Sequence, residues 1–246
     1  MNNYYIDINA DVGEGVGNEA ELLPYLSSCN IACGGHTGDE KSMRNTIKLA
    51  IKHQVKIGVH PSYPDLENFG RLSMQIAPTA LIHSIQSQIS FFKSICNQEN
   101  AVLYHIKAHG ALYNDIAKNR DLAKVFLEAI LPFKNEIKFY VPYNSVIAEE
   151  AAKERFSIVY EAFLDRNYCS DLSLVSRHQP NAMLENPPDV LAQLLLIVKD
   201  GQLKAITGEF VKIQAETFCI HGDTEAALEI LAHLYSQVSN HQISIK

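Results

Sequence analysis

Tyr104-His105-Ile106-Lys107-Ala108-His109 alternates hydrophobic residues with ionisable ones, and Ile6-Asp7-Ile8-Asn9-Ala10-Asp11 does the same near the N-terminus. Side chains alternate across a β-strand, so His105, Lys107 and His109 share one face, as do Asp7, Asn9 and Asp11. Other β-type runs end in the same way. Asn30 and Cys33 precede His36, His60 closes Lys56–His60, Glu161 precedes Asp165 and Arg166, and the last run ends His221-Gly222-Asp223. Strands of a parallel sheet are covered on both faces and ordinarily read as near-continuous Val, Ile and Leu. The apolar partners must face helices, so the polar set is predicted to point at the axis of a barrel. Buried ionisable groups are strongly unfavourable unless they meet a partner, a ligand or water. Catalytic residues of such barrels sit where these fall, at the C-terminal ends of the strands.

Working outward, seven strands are predicted: Tyr4–Ala10, Cys29–Cys33, Lys56–His60, Leu103–His109, Lys138–Pro142, Ser157–Phe163 and Glu216–His221. Helical stripes at three- and four-residue steps lie between them. They are carried by Met43, Ile47, Ala50 and Ile51; by Leu81, Ile85, Ile89, Phe92 and Ile95; and by Leu122, Val125, Phe126, Ala129 and Ile130. Two more run through Val190, Leu191, Leu194, Leu195 and Val198, and through Ala227, Leu228, Leu231, Leu234, Tyr235 and Val238. Pro78 and Pro187-Pro188 suit helix first turns. Repeated β-then-α units imply an α/β fold with a parallel sheet, and about seven of them fit a closed or nearly closed (β/α) barrel spanning residues 1–246 as one domain. Gly201–Ile213 reads as an added hairpin or irregular insertion, with Gly208 as its turn.

The 246 residues carry 21 Lys+Arg against 28 Asp+Glu, a formal charge of −7. That balance, without a basic cluster, argues against nucleic acid or an anionic membrane as the main partner. The longest strongly apolar window, Val190–Val198, is about half the ~20 residues needed to cross a bilayer. The N-terminus shows no secretory signal. The cysteines, at 29, 33, 96, 169 and 219, are odd in number and scattered, as expected of reduced thiols in a cytoplasmic protein.

Several polar residues have plain structural readings. Asp39 and Asp223 could cap helices, and Gly13, Gly15, Gly17 and Gly34-Gly35 could simply make turns. Gly13-Glu14-Gly15 is a weak match to a dinucleotide fingerprint, and no phosphate loop is present. Lys107 is different, because an ammonium on an interior strand face needs a partner, and Asp11 or Glu161 could supply one.

Six motifs in order resemble the LamB/YcsF family, which includes the A component of bacterial 5-oxoprolinase. They are Asp7-Ile8-Asn9-Ala10-Asp11-Val12-Gly13-Glu14; Asn30-Ile31-Ala32-Cys33-Gly34-Gly35-His36-Thr37-Gly38-Asp39; Ile57–Pro61 with Tyr63-Pro64-Asp65 and Phe69-Gly70-Arg71; Lys107–Asn114; Glu161-Ala162-Phe163 with Asp165-Arg166; and Thr217–Asp223. Gly35, Ala108 and Leu72 depart from the family's usual aromatic, proline and second arginine. The resemblance implies an irregular (β/α) barrel akin to glycoside hydrolase and deacetylase barrels. It also implies ATP-dependent opening of 5-oxo-L-proline to L-glutamate, together with partner subunits B and C.

That reaction needs a base for water, a cation near developing negative charge and an acid for the ring nitrogen. The candidate catalytic residues are Asp11 or His109 as base, Lys107 as charge stabiliser, and His60 or His221 as acid. Asn9, His36, Glu161 and Arg166 are candidate substrate-binding residues, with Arg166 suited to a carboxylate. ATP is expected as co-substrate, handled largely by the partner subunits. Asp11, His36, His60 and His109 could together hold a divalent metal. Two other readings stand: a metal-dependent deacetylase or carbohydrate-active hydrolase acting without ATP, and a non-catalytic ligand-binding or scaffold component.

Overall fold

The computed structural model describes residues 3–177, 179–224 and 226–246. The strands are β1 (Tyr4–Val12), β2 (Ser28–Ala32), β3 (Lys56–His60), β4 (Leu103–Ile106), β5 (Lys138–Pro142), β6 (Ile158–Phe163), β7 (Gln202–Lys204), β8 (Phe210–Lys212), β9 (Thr217–Cys219) and β10 (Ile243–Ile245). β1 to β6 pair in sequence, all parallel; β9 follows β6 and pairs back onto β1, closing a seven-stranded barrel. β7 and β8 form the expected hairpin, turning at Gly208 with φ +89°.

β4 stops at Ile106, three residues short of its predicted end. The chain stays extended beyond it, with the Lys107 and His109 amides donating to the Val59 and Pro61 carbonyls at 3.1 and 2.9 Å. β10, which sequence patterning did not foresee, pairs with Tyr4–Ile6 on the edge of β1 whose residues 7–9 take β9. Its three residues are too few to carry a period.

Helices cover the barrel: α1 (Glu19–Leu22), α2 (Glu40–Lys52), α3 (Pro78–Gln98), α4 (Gly110–Ile116), α5 (Arg120–Ile130), α6 (Val146–Lys153), α7 (Pro187–Leu195) and α8 (Ala227–Gln237). The predicted stripes face inward, with Met43, Ile47 and Ala50 on α2 and Leu81, Ile85, Ile89, Phe92 and Ile95 on α3 all buried, except that Ile51 and Tyr235, at the margins of their stripes, are exposed. Ile6, Ile8 and Ala10 of β1 join the same apolar layer. Asp39 caps α2, its carboxylate accepting from the Ser42 amide at 2.7 Å. Among the described residues, no helix is long and apolar enough to cross a membrane.

The polar strand faces fill the barrel axis with hydrogen bonds that all run toward carboxylates. The His105 ring donates to Asn30 Oδ1 at 2.6 Å, and Asn30 Nδ2 donates to Asn9 Oδ1 and Asp11 Oδ1, both at 2.8 Å. Asn9 Nδ2 donates in turn to Glu161 Oε1 (3.0 Å) and Thr217 Oγ1 (2.7 Å). At the opposite end Thr217 and Ser28 each donate to Asp7 Oδ1 at 2.6 Å. Gly58 makes room for this column, since a Cβ there would fall 2.0 Å from His105 Nε2.

His105 is fully buried, stacked on Tyr140 with ring centroids 3.9 Å apart. Burial, and after it the positive charge of Lys107, holds its pKa well below the ordinary histidine value. The folded state therefore refuses a proton that the unfolded chain accepts below about pH 6.5. Stability is full above that pH and falls as the pH drops. His105→Gln is expected to flatten the dependence of unfolding free energy on pH, measured by urea titration between pH 6 and 5, by up to about 1.4 kcal/mol per unit. An unchanged slope would show that His105 takes up a proton in place.

Candidate active site

The C-terminal ends of the barrel strands share one rim, and a cavity of about 540 Å³ opens there. Asp11, Glu14, His60, Lys107 and His109 form its floor, Tyr113, Phe163 and His221 its wall, and Lys118, Arg71, Arg166 and Arg177 bring positive charge to it. The segment Ser173–Arg177, from the long connection after β6, completes the lining.

Lys107 lies at the centre of the floor, 1% exposed. Its ammonium is 2.9 Å from Asp11 Oδ1 and 3.0 Å from Glu161 Oε1, and it donates to Cys219 Sγ at 3.2 Å. Phe163 presents its ring face 5.0 Å away. Burial works against the charge, but Asp11 first, then Cys219 and Glu161, outweigh it and hold the ammonium well above the usual lysine range. Burial likewise opposes Asp11 ionisation, and His60 and Lys107 overcome it, so this carboxyl stays well below the usual carboxylate range. Both residues that sequence offered as partners of Lys107 are used.

Beside this cluster stand three imidazoles. His60 Nδ1 donates to the Lys107 carbonyl at 2.9 Å, and His109 Nε2 donates to the Phe69 carbonyl at 3.0 Å. Their other nitrogens, His60 Nε2 and His109 Nδ1, face each other at 3.0 Å. Asp11 Oδ2 lies 3.3 Å from His60 Nε2, and Glu14 Oε1 lies 3.3 Å from His109 Nδ1. His36 stacks on His109 with centroids 3.5 Å apart and bonds Glu14 through Nε2 at 2.9 Å. Burial depresses His36 to about 4, against the pull of Glu14. Burial depresses His109 as well. Glu14 is itself lowered, because its close contacts with the His109 and His36 rings overcome its burial. Asp11, His60 and His109, and also Glu14, His36 and His109, bring ligand atoms within 4.8 Å of one another.

On the opposite wall, Asp165 clasps His221. It accepts from the His221 amide at 2.8 Å and from ring Nδ1 at 2.9 Å. That pairing fixes the tautomer of a ring that lines the cavity, the arrangement of an acid–base histidine. Arg166 is 6% exposed; Nη2 donates to the Val175 carbonyl at 2.6 Å, while buried Nε has no partner among the described residues. Burial, and then the charge of Arg177, disfavours its cation. An anion in the cavity would relieve both.

The structure thus brings Asp11, His60, Lys107, His109, His221 and Arg166 to one cavity. Three other candidates stand behind it. Asn9 lies one layer deeper, fully buried and committed to Glu161, Thr217 and Asn30. Glu161 backs Lys107, and His36 backs Glu14 and His109. Asp223 is not a helix cap: α8 starts at Ala227, and Asp223 instead accepts from Arg71 at 2.9 Å and pairs with Arg177 at 3.5 Å. Sequence reasoning gave no role to Glu14, Arg71 or Arg177. Glu14 lies past Gly13, whose φ of +72° ends the strand alternation. A loop residue beyond such a break shows no period. Gly35, where an aromatic was expected, is filled from the other side: a Cβ there would fall 2.4 Å from Gln88 Oε1.

A parallel barrel with a buried ammonium and an imidazole cluster at its C-terminal rim defines an enzyme-like class, and comparison with known proteins narrows it. The chain belongs to the LamB/YcsF family, whose pattern matches residues 6–246. It is 40% identical to the A component of 5-oxoprolinase from Haemophilus influenzae (strain PittEE), covering 98% of each chain. It is 39% identical to the protein of the same name from Pyrococcus abyssi, over 93% of this chain and 92% of the other. The crystal structure of the lactam utilization protein from Thermus thermophilus superposes with a TM-score of 0.91 at 31% identity, covering 98% of this chain and 99% of that one.

Lys107→Met leaves Asp11 and Glu161 facing each other without their shared cation. Breaking a buried ion pair is expected to cost about 3–5 kcal/mol in unfolding free energy, measured by urea titration, and adding Glu161→Gln should recover part of it. Stability equal to wild type in Lys107→Met would refute the ion-paired floor.

Proposed function

We propose that this chain is the A component of an ATP-dependent 5-oxoprolinase, which opens the lactam of 5-oxo-L-proline to L-glutamate as ATP becomes ADP and phosphate, in complex with partner subunits B and C. The observation that carries it is a buried ammonium and an Asp–His pair at one cavity, in a chain whose full-length relatives bear that name. These groups speak for chemistry over a scaffold role. The need for ATP, and five cysteines free of disulfides, support a cytoplasmic setting.

A lactam carbonyl is a poor electrophile. Transfer of the γ-phosphoryl group of ATP to the lactam oxygen makes the ring carbon reactive and releases ADP. Water then adds to that carbon, and the tetrahedral adduct has two exits. Loss of phosphate regenerates the lactam and hydrolyses ATP to no purpose. Loss of the ring nitrogen opens the ring to an acyl phosphate, which a second water converts to glutamate and phosphate. An amine leaves only once protonated, so the proton donor at the ring nitrogen decides the outcome.

His221, oriented by Asp165, is assigned to that proton. Lys107 stabilises the negative charge that develops on the adduct. Arg166 holds the substrate carboxylate, matching its fork. Arg71, Arg177 and Lys118 suit the phosphoryl group, and the nucleotide itself is assigned to the partner subunits.

The reading is tested by glutamate release from 5-oxoproline by this chain alone and with its partners, with and without ATP. In the reconstituted complex Lys107→Met is expected to lose roughly 10²–10³-fold in rate. His221→Asn is expected to lower glutamate formed per phosphate released well below one, because the adduct then collapses backward. An undiminished ratio and rate would remove His221 from the chemistry.

A further inference from the structure

The two floor histidines present an arrangement that neutral imidazoles cannot satisfy by themselves. A carbonyl oxygen only accepts, so the bond from His60 Nδ1 to Lys107 O puts a hydrogen on Nδ1 and leaves Nε2 a bare lone pair. The bond from His109 Nε2 to Phe69 O likewise leaves Nδ1 bare. The two bare nitrogens nonetheless stand 3.0 Å apart, with Asp11 Oδ2 3.3 Å from one and Glu14 Oε1 3.3 Å from the other. With both rings neutral, electron pairs of Asp11, His60 and His109 therefore converge with no hydrogen among them, Glu14 stands beside His109, and the group lies on the floor of an open cavity.

Spacing decides what would fill that gap. Ligand atoms held about 2.0–2.1 Å from a zinc ion in tetrahedral geometry lie roughly 3.3 Å from one another, and octahedral neighbours at similar bond lengths lie roughly 3.0 Å apart. The separations here match that range. Each ring also donates its far N–H to a backbone carbonyl, as metal-bound histidines ordinarily do. Phe69 supports one of these bonds from the left-handed region, φ +54°, which a bulky residue rarely adopts.

We propose that Asp11, His60 and His109, flanked by Glu14, form a binding site for a divalent transition-metal ion such as Zn²⁺, Mn²⁺ or Co²⁺. The mixed nitrogen and carboxylate donor set suits these ions better than Mg²⁺ or Ca²⁺. When bound, such an ion supplies Lewis acidity at the cavity floor. The inference rests on hydrogen-bond directions and does not depend on the reaction proposed above.

The test is direct binding to the intact chain. Protein stripped with dipicolinate is titrated with Zn²⁺ by calorimetry and with Co²⁺ by visible absorption, alongside elemental analysis of protein purified without chelator. One equivalent bound, with a Co²⁺ spectrum of four- or five-coordinate type, is expected. His60→Gln and His109→Gln should each weaken binding at least 100-fold, while circular dichroism reports whether the variants fold. Mutating the exposed His83→Gln should change nothing. No binding at millimolar metal, or binding indifferent to both floor substitutions, would overturn the site and leave a shared proton between the rings as the alternative. Glutamate release by the complex, with Mg²⁺ retained for ATP, separates the two ideas. Full activity in metal-free protein that binds no Zn²⁺ rejects the metal and spares the reaction. Stoichiometric binding without any 5-oxoproline cleavage does the reverse.

Discussion

An ammonium buried on the axis of a barrel must be matched by negative charge, and this fold is arranged around that requirement. Lys107 meets Asp11 from β1 and Glu161 from β6, and β9, which closes the barrel between those two strands, contributes Cys219. Closure of the sheet and neutralisation of the charge are thus one event. In the low-dielectric interior an unpaired ion is far costlier than at the surface, so an open sheet separating β1 from β6 would strand the lysine.

The same logic extends downward. Below Lys107 the amides of Asn9 and Asn30 and the ring of His105 form a relay of donors ending on carboxylates at both levels. Every polar group in that layer constrains its neighbours, which makes the floor rigid and specifies one register of the strands. Rigidity at this depth is what a preorganised site needs, because charge stabilisation works only when the dipoles are already in place. The rim is built differently. His221, Arg166 and Arg177 stand on connections after strands, where lengths and partners can vary without disturbing the barrel.

Much of this was legible in residue order. Alternation in Ile6–Asp11 and Tyr104–His109 has a period of two, and a period of two can mean only a strand with distinct faces, so Asp11, Lys107 and His109 were identified together with the direction they point. The helices α2, α3 and α5 were legible for the same reason, with 3.6-residue stripes long enough to register. Short elements such as α4, α6 and β10 left no such trace. Glu14 and Arg177 were invisible because a loop has no period, and the role of Asp223 went to holding two arginines instead of capping α8. Asn9 and Glu161 share the inward face as expected, yet depth along the axis, which alternation does not encode, put them behind the cavity.

The order of residues by itself therefore established a parallel sheet of about seven β/α units, the inward faces of β1 and β4, and the set of ionisable side chains that would have to meet. Local periodicity is a property of neighbours in the chain, and neighbours suffice for that. Which nitrogen of His60 faces which nitrogen of His109, that Asp165 and not another carboxylate holds His221, and how far each group stands from water were decided only by tertiary structure. Those relations join residues dozens to hundreds of positions apart, and their distances follow from strand register and barrel closure, which no single stretch of sequence contains.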